Sequence, residues 1–275
     1  MPAGASWPEI CVCARLHHLD CLLYARLQTE IAKFAIPEPE LAALRHRFHT
    51  VAAFNLRLAH DLAAILAQFA TRNLPVIVLK GANLAHTVYS RPGLRPMTDL
   101  DLLVRHEDLR RAAAALAELG YRPEDDGRNP DPLEDVHSHL PAFLKPASAA
   151  GTPGIPVELH WTILRPPTRL RFPPDQLWQR AQPAVLAGTP ATVLAPEDQL
   201  HHLILHCAAD NHFRTGLLPL MDLDATIRHY ATRLDWAQLF ATIAATGSAR
   251  HAFLTLTLAA EFFATPLPAS FMTAL

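Results

Sequence analysis

Two aspartates two residues apart, Asp99 and Asp101, interrupt an otherwise apolar run from Met97 to Val104. In a strand alternate side chains face the same way, so Asp99 and Asp101 share one face while Leu100, Leu102 and Val104 share the other. The apolar face suits a core, and the two carboxylates then project together from the opposite side. Adjacent like charges repel, and their hard oxygens suit a divalent cation such as Mg²⁺, which takes carboxylates together with substrate phosphates. A second alternating run, Ile155 to Trp161, places Glu158 and His160 on one face and Ile155, Val157, Leu159 and Trp161 on the other. Glu158 by itself reads as a glutamate on a half-exposed strand. His160 reads either as a contact to phosphate or substrate or as hydrogen-bonded support behind the ligands.

Other candidate groups carry less. His202 and His206 are four apart and share a helix face, with His212 and Asp222 further on. Zinc proteases present two ligands in this way, but Leu203 and Ile204 stand where those enzymes place a catalytic glutamate. The helix therefore reads as one that packs on the catalytic unit, with His206, His212 or Asp222 touching an acceptor. Cys11, Cys13 and Cys21 do not match a zinc spacing. His60-Asp61 lacks partner ligands and reads as mid-helix polar surface.

The elements that must position these residues follow from patterning. Val76 to Leu79 is a short buried strand, broken by Lys80-Gly81, with a compact helix from Asn83 to about Tyr89. Arg91-Pro92-Gly93 turns the chain into the aspartate strand. Upstream, residues 9 to 34 form one helical segment ended by Ile36-Pro37-Glu38-Pro39, and a long helix runs from Glu40 to Thr71 with a broad apolar face. Downstream, Glu107 to Gly120 is a helix with acidic residues in its first turn and a terminal glycine. Residues 122 to 154 are rich in loop residues, with a strand expected within His139 to Leu144; their acidic groups read as solvated loop surface or as part of a lid. Val185 to Ala187 and Thr192 to Leu194 flank Gly188-Thr189-Pro190 as a small hairpin. Pro196 opens a helical region that runs to the end, closed by a short helix after Pro266 and Pro268. Three regions result: residues 1–73, helical; 74–165, a catalytic core; and 166–275, mostly helical.

The run LKGANLA, then Tyr89, then LRPMTDLDLLV, with Val157-Glu158-Leu159-His160-Trp161 downstream, resembles the uncharacterised bacterial nucleotidyltransferases of the polymerase-beta-like superfamily, over roughly residues 45 to 230. The resemblance implies an α+β fold: a short mixed sheet with helices, flanked by N-terminal and C-terminal helical regions. It implies an enzyme that transfers a nucleoside monophosphate from an NTP, with ATP the expected donor, to an acceptor hydroxyl and releases pyrophosphate. Asp99, Asp101 and Glu158 become the catalytic metal ligands for Mg²⁺ or Mn²⁺, with Glu158 as the third carboxylate. Lys80, Gly81 and Arg95 become nucleotide contacts, the glycine by letting backbone approach phosphate oxygens. The His-rich helix followed by an aspartate is also part of the resemblance. Two features depart from better-known relatives. Ala82 follows Gly81 where serine or glycine is usual, and the step from Gly81 to Asp99 is longer than in compact members. The alternative on the same fold is a catalytically inactive module that holds a nucleotide or a partner.

Bulk properties narrow the partners. A chain of 275 residues with half its residues hydrophobic can build a sizeable core. A formal net charge of −2, with no interleaving of basic and aromatic residues, argues against a long nucleic-acid acceptor and leaves a small molecule, a peptide or a protein. Sixteen histidines and twenty-four prolines reflect composition bias rather than sixteen functional imidazoles. Four cysteines make no disulfide framework. No secretory leader and no charge-free apolar run near spanning length is visible, so a cytoplasmic protein without membrane partners is expected.

Overall fold

The computed structural model describes residues 4–30, 34–124, 138–145, 154–165, 170–171 and 174–275. The chain begins with α1 (Trp7–Leu16) and α2 (Asp20–Glu30), not with one helix over 9 to 34. His18 takes a left-handed φ of 58° between them and reverses the chain. Helical periodicity could not reveal this break, because neither glycine nor proline marks it.

Helix α3 (Glu38–Thr71) starts two residues earlier than expected. Pro37 caps it and Pro39 lies in its first turn, where a missing N–H costs no hydrogen bond. Leu58, Leu62, Ile65 and Phe69 of α3 are fully buried against the central sheet, and Leu44, Phe48 and Val51 pack with Tyr24 and Leu27 of α2. Each such side chain contributes about 1.5–3 kcal/mol of burial. Among the described residues α3 alone is long and apolar enough to cross a membrane, yet this face of it lies in the protein core.

The sheet contains β1 (Ile77–Val78), β2 (Leu100–Leu103), β3 (Arg122–Pro123), β4 (Phe143–Lys145), β5 (Ile155–His160), β6 (Gln182–Leu186) and β7 (Thr189–Val193). Their order is β3-β4-β5-β2-β1-β7-β6. β2 runs parallel to β5 and antiparallel to β1, while β1 runs parallel to β7. The α+β architecture is therefore the expected one, with a mixed sheet.

Local differences have local causes. β2 begins at Leu100 rather than Met97, because β1 leaves the ladder at Leu79, whose N–H makes a last bond to the Asp101 carbonyl (3.0 Å). The β6–β7 turn falls on Ala187 and Gly188, with φ of 51° and 75°, one step earlier than expected; two positive φ values are what a two-residue hairpin loop requires. This hairpin pairs with β1, so the sheet takes in residues beyond 165. Within 138–145, the strand pairing is confined to Phe143–Lys145 and a single bridge between His139 and His160. The expected loop features over 125–137 and 146–153 lie outside the described residues, as do Pro166, Pro167 and Pro173.

Helix α4 (Lys80–Thr87) follows β1 directly, and α5 (Leu109–Glu118) follows β2 and ends before Gly120, whose φ is +89°. α6 (Pro174–Arg180) precedes the hairpin. The C-terminal bundle comprises α7 (Pro196–Leu205), α8 (Leu218–Tyr230), α9 (Trp236–Thr246), α10 (Ala249–Phe263) and the short α11 (Ala269–Ala274). α7 widens at its end into a π-type turn, His206–Asp210, a feature often found at functional sites. Leu203, Ile204, Leu223, Ile227 and Leu256 join these helices into one core that also takes in Leu84 of α4.

Candidate active site

Parallel pairing of β2 and β5 sets Asp101 beside Glu158 and Leu103 beside His160. Asp101 is buried, and its Oδ1 receives Lys80 Nζ at 3.0 Å and His160 Nε2 at 2.8 Å. His160 Nε2 also lies 3.2 Å from Glu158 Oε2, and His139 Nε2 approaches the same oxygen at 3.8 Å. With carboxylates on both sides, Nε2 of His160 carries a hydrogen and donates it. His160 thus bridges the two acids.

Lys80 reaches Asp101 through an unusual backbone. Its φ is 38°, a left-handed value rare outside glycine, and this kink turns the end of β1 straight into α4. The charges then shift one another. Burial alone would lower the Lys80 pKa, but Asp101 beside it wins and raises it. Burial would raise Asp101, yet Lys80 and His160 hold it well below the usual carboxylate range. Burial likewise opposes ionisation of Glu158, and the hydrogen bond from His160 keeps it low. At Asp99 burial, then repulsion from Asp101 and Glu158, outweigh the Lys80 and Arg95 charges and push the pKa up to about 7.

The donor atoms of Asp101, Glu158 and His160 lie within 4.8 Å of one another; Asp99 is not in that group, and with Asp101 it lines a cavity of about 310 Å³. These residues fit a divalent cation. Two carboxylates, Asp101 and Glu158, converge with a histidine nitrogen, and Asp99 lies near enough for both carboxylates to repel its charge.

Arg95 and Gly81 form a second unit on the cavity wall. Arg95 Nε lies 2.9 and 3.1 Å from the two oxygens of Asp222 on α8, and Nη2 donates to Oδ2 at 2.8 Å. Tyr89 Oη donates to Asp222 Oδ1 at 2.8 Å. A Cβ on residue 81 would lie 2.5 Å from Arg95 Nη1, so glycine here makes room for the guanidinium. Asn55 Nδ2 bonds the Pro92 and Arg95 carbonyls at 2.6 and 2.8 Å and fixes the loop that delivers Arg95.

Of the C-terminal candidates, His206 and Asp222 line the cavity with Lys80, Gly81, Arg95 and Asp99. Burial, then the nearby Lys80 charge, press the His206 pKa down to about 3, so its ring is neutral. His212 does not line this cavity; it is exposed, with its Nδ1 3.3 Å from the Ala208 carbonyl. Sequence reasoning gave no role to His139, or to His18 and Arg47, which also line the cavity. They come from other parts of the chain, and no local pattern ties them to the aspartates. Tyr89 belongs to the diagnostic run, and that was its only signal.

A family model described as uncharacterised nucleotidyltransferase matches residues 3–264. None of the curated proteins matches the chain. Among solved structures, ANT(2")-Ia in complex with adenylyl-2"-tobramycin is 18% identical, with 69% of this chain and 96% of that one covered and a TM-score of 0.45. The solution structure of the antibiotic-resistance factor ANT(2'')-Ia is 18% identical, with 74% and 98% covered and a TM-score of 0.46. An antigenic nucleotidyltransferase-like protein from Paracoccidioides brasiliensis is 16% identical, with 62% and 75% covered and a TM-score of 0.42.

Proposed function

The chain belongs to the uncharacterised nucleotidyltransferase family, and on that premise we propose that it moves a nucleoside monophosphate from an NTP, ATP first among them, to a hydroxyl of a small molecule, peptide or protein in the cytoplasm and releases pyrophosphate. The observation that carries this reading is the pairing of Asp101 with Glu158 across β2 and β5, with Asp99 just before β2, next to a cavity that Asp99, Asp101, Lys80 and Arg95 line. Asp99 and Asp101 would hold the ions shared with the triphosphate, and Glu158 the ion nearer the acceptor. Mg²⁺ or Mn²⁺ bound there supplies neutralisation of the triphosphate and a lowered pKa for the acceptor hydroxyl.

The chain's own groups do the rest. Lys80 and His160 keep Asp101 ionised, and His160 sets the angle between Asp101 and Glu158. Arg95, locked by Asp222, presents a cation that needs no reorganisation when phosphate arrives. In the transfer, the acceptor hydroxyl gives up its proton to water and its oxygen bonds to the α-phosphorus, while the bond from that phosphorus to the bridging β-phosphate oxygen breaks and pyrophosphate keeps that electron pair.

The test is pyrophosphate release from ATP in Mg²⁺ or Mn²⁺ across a panel of hydroxyl acceptors, with acceptors identified by mass shift. In Glu158→Gln, nucleotide affinity should stay within about a few-fold while turnover falls at least about 100-fold, roughly 2.7 kcal/mol of transition-state stabilisation. Turnover of that variant at the wild-type rate removes Glu158 from the mechanism.

One observation favours a second reading, a nucleotide-holding module without turnover: Lys80 and His160 already balance Asp101. On that reading no acceptor supports pyrophosphate release, and Glu158→Gln alters affinity alone or nothing.

A further inference from the structure

The cavity that Asp99 lines is walled in part by the N-terminal helices, and that wall is basic. His18, in the α1–α2 turn, and Arg47, on α3, both line it. Two features hold the wall in place. His18 sits exposed at a left-handed φ of 58°, a conformation that few non-glycine residues adopt without a reason elsewhere in the fold. Its neighbour His17 meets Gly216 so closely that a Cβ there would lie 2.9 Å from the His17 Cα. Gly216, with a φ of +77°, belongs to the segment that also brings Thr215 and Leu218 to the cavity. The turn carrying His18 is therefore clamped against the entry to α8.

The charges of this wall do not cancel. Asp20 is buried and lies 3.4 Å from Arg47 Nε and 4.0 Å from Arg15 Nε, so one carboxylate serves two arginines. The Cys21 N–H fixes its other oxygen at 3.1 Å. Arg47 Nε approaches Asp20 Oδ2 without hydrogen-bonding it, and the side chain is 40% exposed. The other arginine and lysine lining the cavity are matched already: Lys80 by Asp101 and Arg95 by Asp222. The cavity is thus lined by acidic groups at Asp99 and Asp101 and, from the N-terminal helices, by a basic one at Arg47.

We propose that Arg47 and His18 form an oxyanion subsite on this basic wall, contributed by the N-terminal helical region to the nucleotidyl-transfer cavity. The proposal rests on the reading of that cavity as the place where NTP and acceptor meet. A guanidinium fork takes the paired oxygens of a phosphate or carboxylate in a bidentate pair. The oxyanion belongs either to the tail of the triphosphate or to the acceptor itself, which would then be an anionic molecule.

Calorimetric titration with inorganic tripolyphosphate tests this on the full chain, with and without a non-hydrolysable ATP analogue. Wild-type protein should bind tripolyphosphate, and Arg47→Gln should weaken it by about tenfold or more, the loss expected for one charge-assisted pair. Arg47→Lys, which keeps the charge opposite Asp20, should fall between the two. His18→Gln changes an exposed turn residue, so it reports on the same subsite without disturbing helix packing and should also weaken binding. Competition by the ATP analogue assigns the subsite to the triphosphate tail; undiminished tripolyphosphate binding beside the analogue assigns it to the acceptor. Wild-type protein that binds no tripolyphosphate, or equal affinity in wild type, Arg47→Gln and His18→Gln, overturns the proposal. If the analogue fails to bind while tripolyphosphate still depends on Arg47, the nucleotide reading falls and the subsite stands.

Discussion

Residue 81 is glycine because Arg95 lies across it, and that contact makes a sharp test at the scale of single side chains. Arg95 is held by two nitrogens on Asp222, so its guanidinium cannot swing aside to admit a methyl group. Gly81→Ala should therefore destabilise the protein by about 1–3 kcal/mol, the usual range for overpacking, read from the urea midpoint at unchanged slope. An unshifted midpoint would show that the guanidinium has room to move. Asp222→Ala should cost more, about 3–5 kcal/mol, because it strands a buried charge, whereas Tyr89→Phe removes one neutral donor and should cost about 1 kcal/mol. Equal losses in the two variants would contradict the ion pair as the dominant contact. Strand alternation is a local rule and put Asp101 on its strand, but Asp99, expected on the same strand face, precedes β2, which begins at Leu100. The Arg95–Asp222 bond was not, because 127 residues separate its partners. Lys80 and Arg95 were singled out as cations near the glycine; their carboxylate partners are what only the folded chain reveals.

At the scale of elements, α3 is the beam on which the sheet rests. Leu62 is fully buried in the core that α3 shares with β2, β5 and α5. Leu62→Ala should destabilise by about 2–5 kcal/mol through lost burial and the cavity left behind. Leu56, on the same helix but exposed, should tolerate alanine with a change within about 0.5 kcal/mol. Comparable losses at both positions would mean that α3 is not packed as described. The long helix could be read from sequence because its apolar residues recur at helical spacing over many turns. Three features could not. The α1–α2 break depends on one left-handed histidine, the early start of α3 on proline being welcome in a first turn, and the shortness of β2 on where its neighbour β1 departs. Hairpin β6–β7 was recognisable as a hairpin, but its pairing with β1 joins segments more than a hundred residues apart, which local patterning does not encode.

At the scale of the whole molecule, the cavity is a junction: the N-terminal helices give His18 and Arg47, the sheet gives Asp101, and the C-terminal bundle gives His206 and Asp222. The bundle also sets how the fold responds to acid. His201 is buried on α7, with its Nε2 2.9 Å from Ser248 Oγ, and burial, then Arg180, push its pKa down from 6.5 to about 4. The unfolded chain then binds a proton that the folded chain refuses. Stability from this group is full above pH 6.5 and is lost as pH falls toward 4, by up to about 3 kcal/mol. Urea unfolding at a series of pH values should show that slope in the wild type and a shallower one in His201→Gln; identical slopes would remove His201 as a source. The central claim concerns the acidic groups of the junction, Asp99 and Asp101, which are assigned to metal-bound nucleotide. Its most direct measurement is Mn²⁺ titration in the presence of ATP, comparing wild type with Asp99→Asn, which leaves the Lys80–Asp101–His160 cluster intact. The account predicts Mn²⁺-dependent ATP binding by the wild type, weakened about tenfold or more in Asp99→Asn while helical circular dichroism is unchanged; equal Mn²⁺ and ATP affinity in the two proteins would contradict it.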